Sequence, residues 1–235
     1  MATRIALVGD EQPNHPSHRE LNAVRALFAS DVESVWVPTD APEASDLSGY
    51  HGVWLVPGSP YASDEAAYRA ITWAREQDVP FLGTCGGMQY AVLELFRNLL
   101  GVADASHAES DGGSVSNVVT ALTCSLQGEL RDIHPVAGTR FSRLVGGRAF
   151  PGMHYCSFAS DPEKLEQLIE VGVSVQATAE DAGAEVIELS SKRFFMASMF
   201  QPQVGALSGE PLHPLIGEFI RSAKEYSAFC RSSGA

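Results

Sequence analysis

Positive charge is scarce in this 235-residue chain, where 16 lysines and arginines face 29 aspartates and glutamates, for a net charge of -13. Such a chain repels phosphate backbones and anionic lipid, which sets aside nucleic-acid and membrane-surface binding. Cysteine is also sparse. The four present, Cys85, Cys124, Cys156 and Cys230, form no CxxC pair and no zinc-ligand spacing, so a metal site is not expected. A disulfide framework is not expected in a chain with this much core, and a reducing, cytoplasmic setting fits. Long hydrophobic runs are missing. No stretch approaches the roughly 18 to 20 apolar residues of a membrane span, and no leader-like apolar segment follows Met1. The expectation is a soluble protein that is not exported. Internal repeats, linkers and low-complexity segments are absent. What is present is 45% apolar residues, enough for one sizeable α/β domain over residues 1–235.

Periodicity places the elements. Arg4–Val8 is a short apolar run closed by Gly9 and reads as a buried strand. Glu11–Ser17 reads as a polar loop with solvated His15 and His18, and Ser17 with Glu20 reads as a capping box opening a helix. Strands are expected at Ser34–Val37, Val53–Val56 and Pro80–Gly83, with helices from Ser63 to about Gln77 and from Gly86 to about Leu100. The alternation argues a parallel or mixed sheet with helices on both faces, and ligands at the carboxyl ends of its strands. Pro57-Gly58 and Gly83-Thr-Cys-Gly-Gly87 both fall at such ends. Further on, strands are expected at Val115–Leu122, Val173–Gln176, Glu185–Leu189 and Phe194–Ser198. Helices are expected from Asp161 to about Val171 and from Pro211 to Cys230. Trp36, Trp54 and Trp73 read as core or helix-packing residues.

The chemistry concentrates in Gly83-Thr84-Cys85-Gly86-Gly87-Met88-Gln89. Its G-x-C-x-G core, between a strand and a helix, is the pattern of a nucleophile elbow. The helix N-terminus favours the thiolate of Cys85. The N–H of Gly86 is placed to donate to an oxyanion.

That motif resembles the nucleophile segment of class I glutamine amidotransferases, and the chain is most similar to the glutaminase domain of CTP synthases over nearly its whole length. The resemblance implies a flavodoxin-like amidotransferase fold without a cofactor. It makes Leu55-Val-Pro-Gly58 the source of a second oxyanion amide, through Gly58. It places Gln89 and Glu109 where the family contacts the substrate, Glu109 at the α-amino group. Leu212–Ile220 resembles the family's closing helix.

Three departures stand out. The family's Gln-Phe-His-Pro-Glu is here Met199-Phe200-Gln201-Pro202-Gln203. Gln201 and Gln203 replace the histidine and glutamate that activate the cysteine, and an amide cannot shuttle protons. At Phe150-Pro-Gly-Met-His154-Tyr155-Cys156, His154 stands where the family holds the glutamine carboxylate with arginine, and Tyr155 beside it is a candidate substrate contact. Gly86 replaces a bulkier residue. His154 can be read as a replacement base, as a cation for a carboxylate, or as a buried histidine satisfied by backbone. A thiol pair or metal site joining Cys156 to Cys85 is a further alternative. His107 can face the pocket, and His213 reads as a surface cap at a helix start.

Efficient glutamine hydrolysis is therefore not expected. Three functions remain open: thiol chemistry on a small amino-acid-like or amide- or nitrile-like substrate, an idle ligand-binding module, or a glutaminase subunit serving a synthetase partner in trans. No P-loop or synthetase segment lies within these residues, and self-association is left open.

Overall fold

Apolar runs closed by turn residues become the strands that carry the site. The computed structural model describes residues 2–112, 114–181 and 183–233. The chain forms two units. One holds the residues up to Leu82, Lys192–Phe195 and those from Pro202 onward; the other holds Gly83–Ser191 and Met196–Gln201.

In the first unit, β1 (Thr3–Val8) pairs in parallel with β2 (Val32–Val37) on one side and with β3 (Gly52–Leu55) on the other. β1 and β3 are almost wholly buried, which is why they read as continuous apolar runs rather than alternating ones. The helix α1 (Pro16–Arg25) connects β1 to β2. The helix α2 (Asp64–Glu76) starts where the Ser63 side chain accepts the Ala66 N–H, with Asp64 and Glu65 facing the positive end of the helix dipole. The strand β4 (Phe81–Thr84) enters here, the Phe81 N–H donating to the Phe194 carbonyl at 2.8 Å.

Two expectations fail at α1. The helix begins at Pro16, whose fixed φ suits the first helical position. That draws Ser17 inside the helix, where it is buried and caps nothing. Glu20 instead accepts the Leu207 N–H. The same early start carries His18 out of the solvent. Its ring is fully buried, with Nδ1 accepting the Gln12 N–H at 2.8 Å and Nε2–H donating to the Pro57 carbonyl at 2.7 Å. A Cβ at Gly58 would lie 3.0 Å from that Nε2, and Gly58 has φ +120, so only glycine fits there.

The second unit begins with the end of β4 and continues into α3 (Gly86–Asn98), in which Gly86 through Phe96 are all buried. Next come β5 (Ser106–His107) and β6 (Asn117–Ala121). A meander of β7 (Glu129–Pro135), the short α4 (Arg140–Leu144) and β8 (Phe150–His154) follows. β9 (Phe158–Ser160) pairs antiparallel with β6, which is parallel to β5. After α5 (Pro162–Leu165) come β10 (Val173–Ala179), β11 (Gly183–Leu189) and β12 (Phe195–Ser198). The order in this unit is β12-β11-β10-β7-β8. The pairs β7 with β8, β7 with β10, β10 with β11 and β11 with β12 are all antiparallel. The connections from β10 to β11 and on to β12 are too short for a crossover helix, and antiparallel pairing is what such links permit. Gly152 shows how tightly β8 is packed: a Cβ there would lie 2.7 Å from Ile133 Cγ1 and 2.9 Å from Phe200 Cβ.

The closing helix α6 (Pro214–Ser233) belongs to the first unit, where Phe219 packs edge-on to Trp54 at 6.2 Å. His213 does cap its start, Nδ1 accepting the Leu215 N–H at 3.1 Å, and burial lowers its pKa to about 4. No helix among the described residues is long and apolar enough to cross a membrane.

Candidate active site

The turn between β4 and α3 puts Cys85 at φ 54 and ψ -113. Among the described residues, only Cys85 and Asp78 have positive φ without being glycine. The Cys85 N–H donates to the Ser198 carbonyl at 2.7 Å, and its own carbonyl accepts the Met88 N–H at 2.9 Å. These bonds hold the residue in a conformation that a side chain with a Cβ avoids. The side chain is 6% exposed.

Four groups converge on the sulfur. The Cys156 thiol donates to it most strongly; the Gln201 amide and the Gly86 N–H follow, and His154 adds positive charge. Burial opposes them, but the thiol is net lowered from its ordinary range. Cys156 moves the other way, since its hydrogen bond to Cys85, then burial and the charge on Cys85, keep its proton on. The negative charge belongs on Cys85, because only that sulfur sits at a helix N-terminus with an amide donor. The Cys85 sulfur also lies 3.9 Å from the Tyr155 carbonyl, on the segment that carries Cys156.

That segment is fixed by its backbone. The Gly128 N–H donates to the His154 carbonyl and the Leu126 N–H to the Cys156 carbonyl, both at 2.9 Å. Extended chain alternates its side chains. His154 and Cys156 are accordingly buried, with Tyr155 half-exposed between them.

The sequence reading leaves Cys85 without an imidazole–carboxylate pair. The structure supplies one from β8 and β11. His154 Nε2 lies 2.9 and 3.0 Å from the two oxygens of Glu185, and both side chains are fully buried. His154 Nδ1 lies 3.0 Å from the Gly152 carbonyl. A carbonyl and a carboxylate both only accept, so each ring nitrogen must carry a proton. His154 is thus held as an imidazolium. Burial lowers its pKa, but the Glu185 bond and charge, with the negative charge of Cys85, outweigh burial and raise it. Glu185 also accepts the Phe200 N–H at 3.1 Å. Of the three readings open for His154, the geometry is nearest the buried histidine satisfied within the fold, by the Gly152 carbonyl on one nitrogen and Glu185 on the other. With both nitrogens donating, no lone pair remains to take the cysteine proton.

Gln89 sits one turn into α3 with its amide engaged at both ends. Its Nε2 donates to the Phe158 carbonyl at 2.9 Å, and its Oε1 lies 3.1 Å from His107 Nε2. His107 Nδ1 accepts the Glu109 N–H at 3.0 Å, so the ring carries its proton on Nε2 and donates to Gln89. This chain runs from the buried helix out to Glu109, which is exposed. Gln201 is buried, and its N–H donates to the Met153 carbonyl at 2.9 Å. Gln203 is also buried and, like Gly58, belongs to the first unit. Among the described residues, no three His, Cys, Asp or Glu side chains are grouped to hold a metal ion.

The site residues that sequence reasoning brings together, Cys85, Gly86, His154, Tyr155, Cys156 and Gln201, do meet. Glu185 is the one it missed. Its signal was a carboxylate inside a strand buried from Ala184 to Leu189, a position that demands a charged or hydrogen-bonding partner.

The family profile for class-I glutamine amidotransferases matches residues 17–202. A CTP synthase of Parasynechococcus marenigrum is 31% identical over 95% of this chain and 44% of its own length. A CTP synthase of Synechococcus is 36% identical over 66% of this chain and 30% of its own length. The chain therefore spans less than half the length of these curated relatives. Among solved structures, the Trypanosoma brucei CTPS glutaminase domain with bound acivicin superposes with a TM-score of 0.79. It has 21% identity and covers 95% of this chain and 94% of that one, a likeness of fold.

Proposed function

This chain belongs to the class-I glutamine amidotransferase family, and from that premise we propose that it uses Cys85 as a nucleophile on a small amino-acid-like or amide- or nitrile-like substrate, without being an efficient glutaminase. One observation carries this reading: the imidazole acting on the sulfur, that of His154, has a carbonyl on one nitrogen and a carboxylate on the other. The site therefore supplies a ready thiolate but no base to relay its proton.

In this reading the thiolate attacks an electrophilic carbon, and charge building on the attacked heteroatom is met by the Gly86 N–H. Glu109, exposed at the end of the Gln89–His107 chain, is the anchor for an ammonium group, and Tyr155 lines the approach to the sulfur. Amide hydrolysis needs a proton delivered to the leaving amine and then taken from water. The resemblance puts the family's histidine and glutamate at Gln201 and Gln203, which can do neither. General acid–base help of this kind is worth roughly 10²–10⁴ in rate, so a substrate more reactive than a plain amide suits the site. The relatives named as CTP synthases make a synthetase a natural partner for any ammonia the site did release.

The test is labelling with a diazo-ketone amino acid, read by intact mass, alongside ammonia release from glutamine. The expected result is rapid labelling at Cys85, lost in Cys85→Ala, with negligible glutamine turnover. Steady ammonia release dependent on Cys85 would refute the claim about glutaminase activity. Absence of any adduct would refute the nucleophile and leave an idle ligand-binding module.

A further inference from the structure

The second sulfur at the site has no task in carbon chemistry. Cys156 is 4% exposed and Cys85 6%, and the Cys85 sulfur lies 3.9 Å from the carbonyl of Tyr155, the residue before Cys156, with the two thiols holding each other's protonation apart. The two are 71 residues apart in sequence and come from different elements. Residues 154–156 are fixed by the backbone bonds of Gly128 and Leu126. Cys124 is exposed and Cys230 half-exposed, and neither is paired with another thiol.

We propose that Cys85 and Cys156 form a two-cysteine redox centre that reduces small hydroperoxides, with Cys85 as the attacking and Cys156 as the resolving sulfur. The burial of both residues excludes a protein disulfide as the oxidant and leaves small ones, of which hydrogen peroxide is the simplest. The cycle balances as follows. The Cys85 thiolate attacks one peroxide oxygen, the O–O bond breaks, and hydroxide leaves, giving a sulfenic acid at Cys85. The leaving hydroxide takes the Cys156 proton and becomes water. The Cys156 thiolate so formed attacks the Cys85 sulfur, forming the S–S bond and breaking the S–O bond. The second hydroxide takes a proton from solvent. One peroxide is reduced to two waters, two thiols are oxidised to a disulfide, and an external dithiol restores them by exchange.

This chemistry suits what the site has. Attack on the O–O bond needs a thiolate but no base to deacylate an intermediate. The single hydrogen bond between the sulfurs both holds the first anion and delivers the proton that creates the second.

The inference shares the Cys85 thiolate with the function proposed above but not its substrate, so the two are separable on one preparation. The full chain is treated with one equivalent of hydrogen peroxide, quenched with N-ethylmaleimide and mapped by peptide mass spectrometry. The expected product is a Cys85–Cys156 cross-linked peptide, with Cys124 and Cys230 alkylated. In Cys156→Ser no cross-linked peptide should form, and in the absence of added thiol a β-diketone should trap the sulfenic acid of Cys85. The wild-type protein decides the matter even if Cys156→Ser folds poorly. If wild-type Cys85 passes to sulfinic acid while Cys156 remains alkylatable, or if both thiols survive peroxide, the redox centre is overturned. Diazo-ketone labelling without a disulfide overturns this inference alone. A disulfide without labelling overturns only the amino-acid substrate.

Discussion

Glu185→Gln tests the electrostatics of the site with the smallest change in shape. In the wild type the carboxylate serves two buried donors, His154 Nε2–H and the Phe200 N–H. An amide has one acceptor oxygen; with that oxygen at the Oε2 position it keeps the Phe200 N–H, and the NH₂ group at the Oε1 position faces His154 Nε2. The backbone cannot give up its proton. His154 can, by losing the proton on Nε2 and accepting from the new amide while Nδ1–H still donates to Gly152. The variant therefore turns His154 into a neutral ring without opening a cavity. A charge-assisted hydrogen bond is worth roughly 1.5–3 kcal/mol, and a loss of that order should appear in urea unfolding near neutral pH. The sign follows from the raised pKa of His154. Its stabilisation is complete below the unfolded value near 6.5 and fades as pH rises through the folded value, so wild type and variant should converge on the alkaline side. The effect on Cys85 is the sharper test. An opposite charge favours the thiolate, and the imidazolium is the weakest of the four groups doing so here. Its loss should move the Cys85 thiol back up toward its ordinary range. Iodoacetamide alkylation of Cys85, followed by mass across pH, should have its profile displaced to higher pH and match the wild type only at high pH. An unchanged pH profile would refute the assignment of a positive charge to His154.

Two further outcomes follow from packing and capping. Gly152→Ala should cost about 1–3 kcal/mol in chemical denaturation, because the new methyl overlaps Ile133 and the Phe200 Cβ. No loss there would mean that β8 can move away from its neighbours. His213 has a folded pKa lowered to about 4. A lowered value means that its contribution is present above the unfolded value near 6.5 and is lost as pH falls toward 4. His213→Asn keeps an acceptor for Leu215 without the titration, so its thermal midpoint should fall less than the wild type's between those pH values.

The elbow at Cys85 was legible in the sequence because its constraints are local: a strand, a small-residue turn and a helix, all within a few residues. The start of α2 near Ser63 was legible for the same reason. Glu185 was not, because its partner lies 31 residues away on another strand and periodicity only marks it as part of β11. His18 was misread by composition. Polar neighbours suggested solvent, while Pro16 had already fixed the helix that buries it. β7 escaped notice because its residues are mostly exposed, and an edge-like polar strand has no apolar run to read. The antiparallel second unit was beyond local patterning, since strand direction depends on which partners the chain finds after it turns.

The backbone at Cys85 has a consequence for the history of the chain. A side chain at φ 54 costs of order 1–3 kcal/mol that glycine in the same turn would largely avoid. A fold kept merely as scaffold would be more comfortable with the sulfur gone. Every folded molecule instead bears that tension to hold the Cys85 sulfur at the mouth of a helix, and a protein near its stability threshold has little slack for an ornament of that kind.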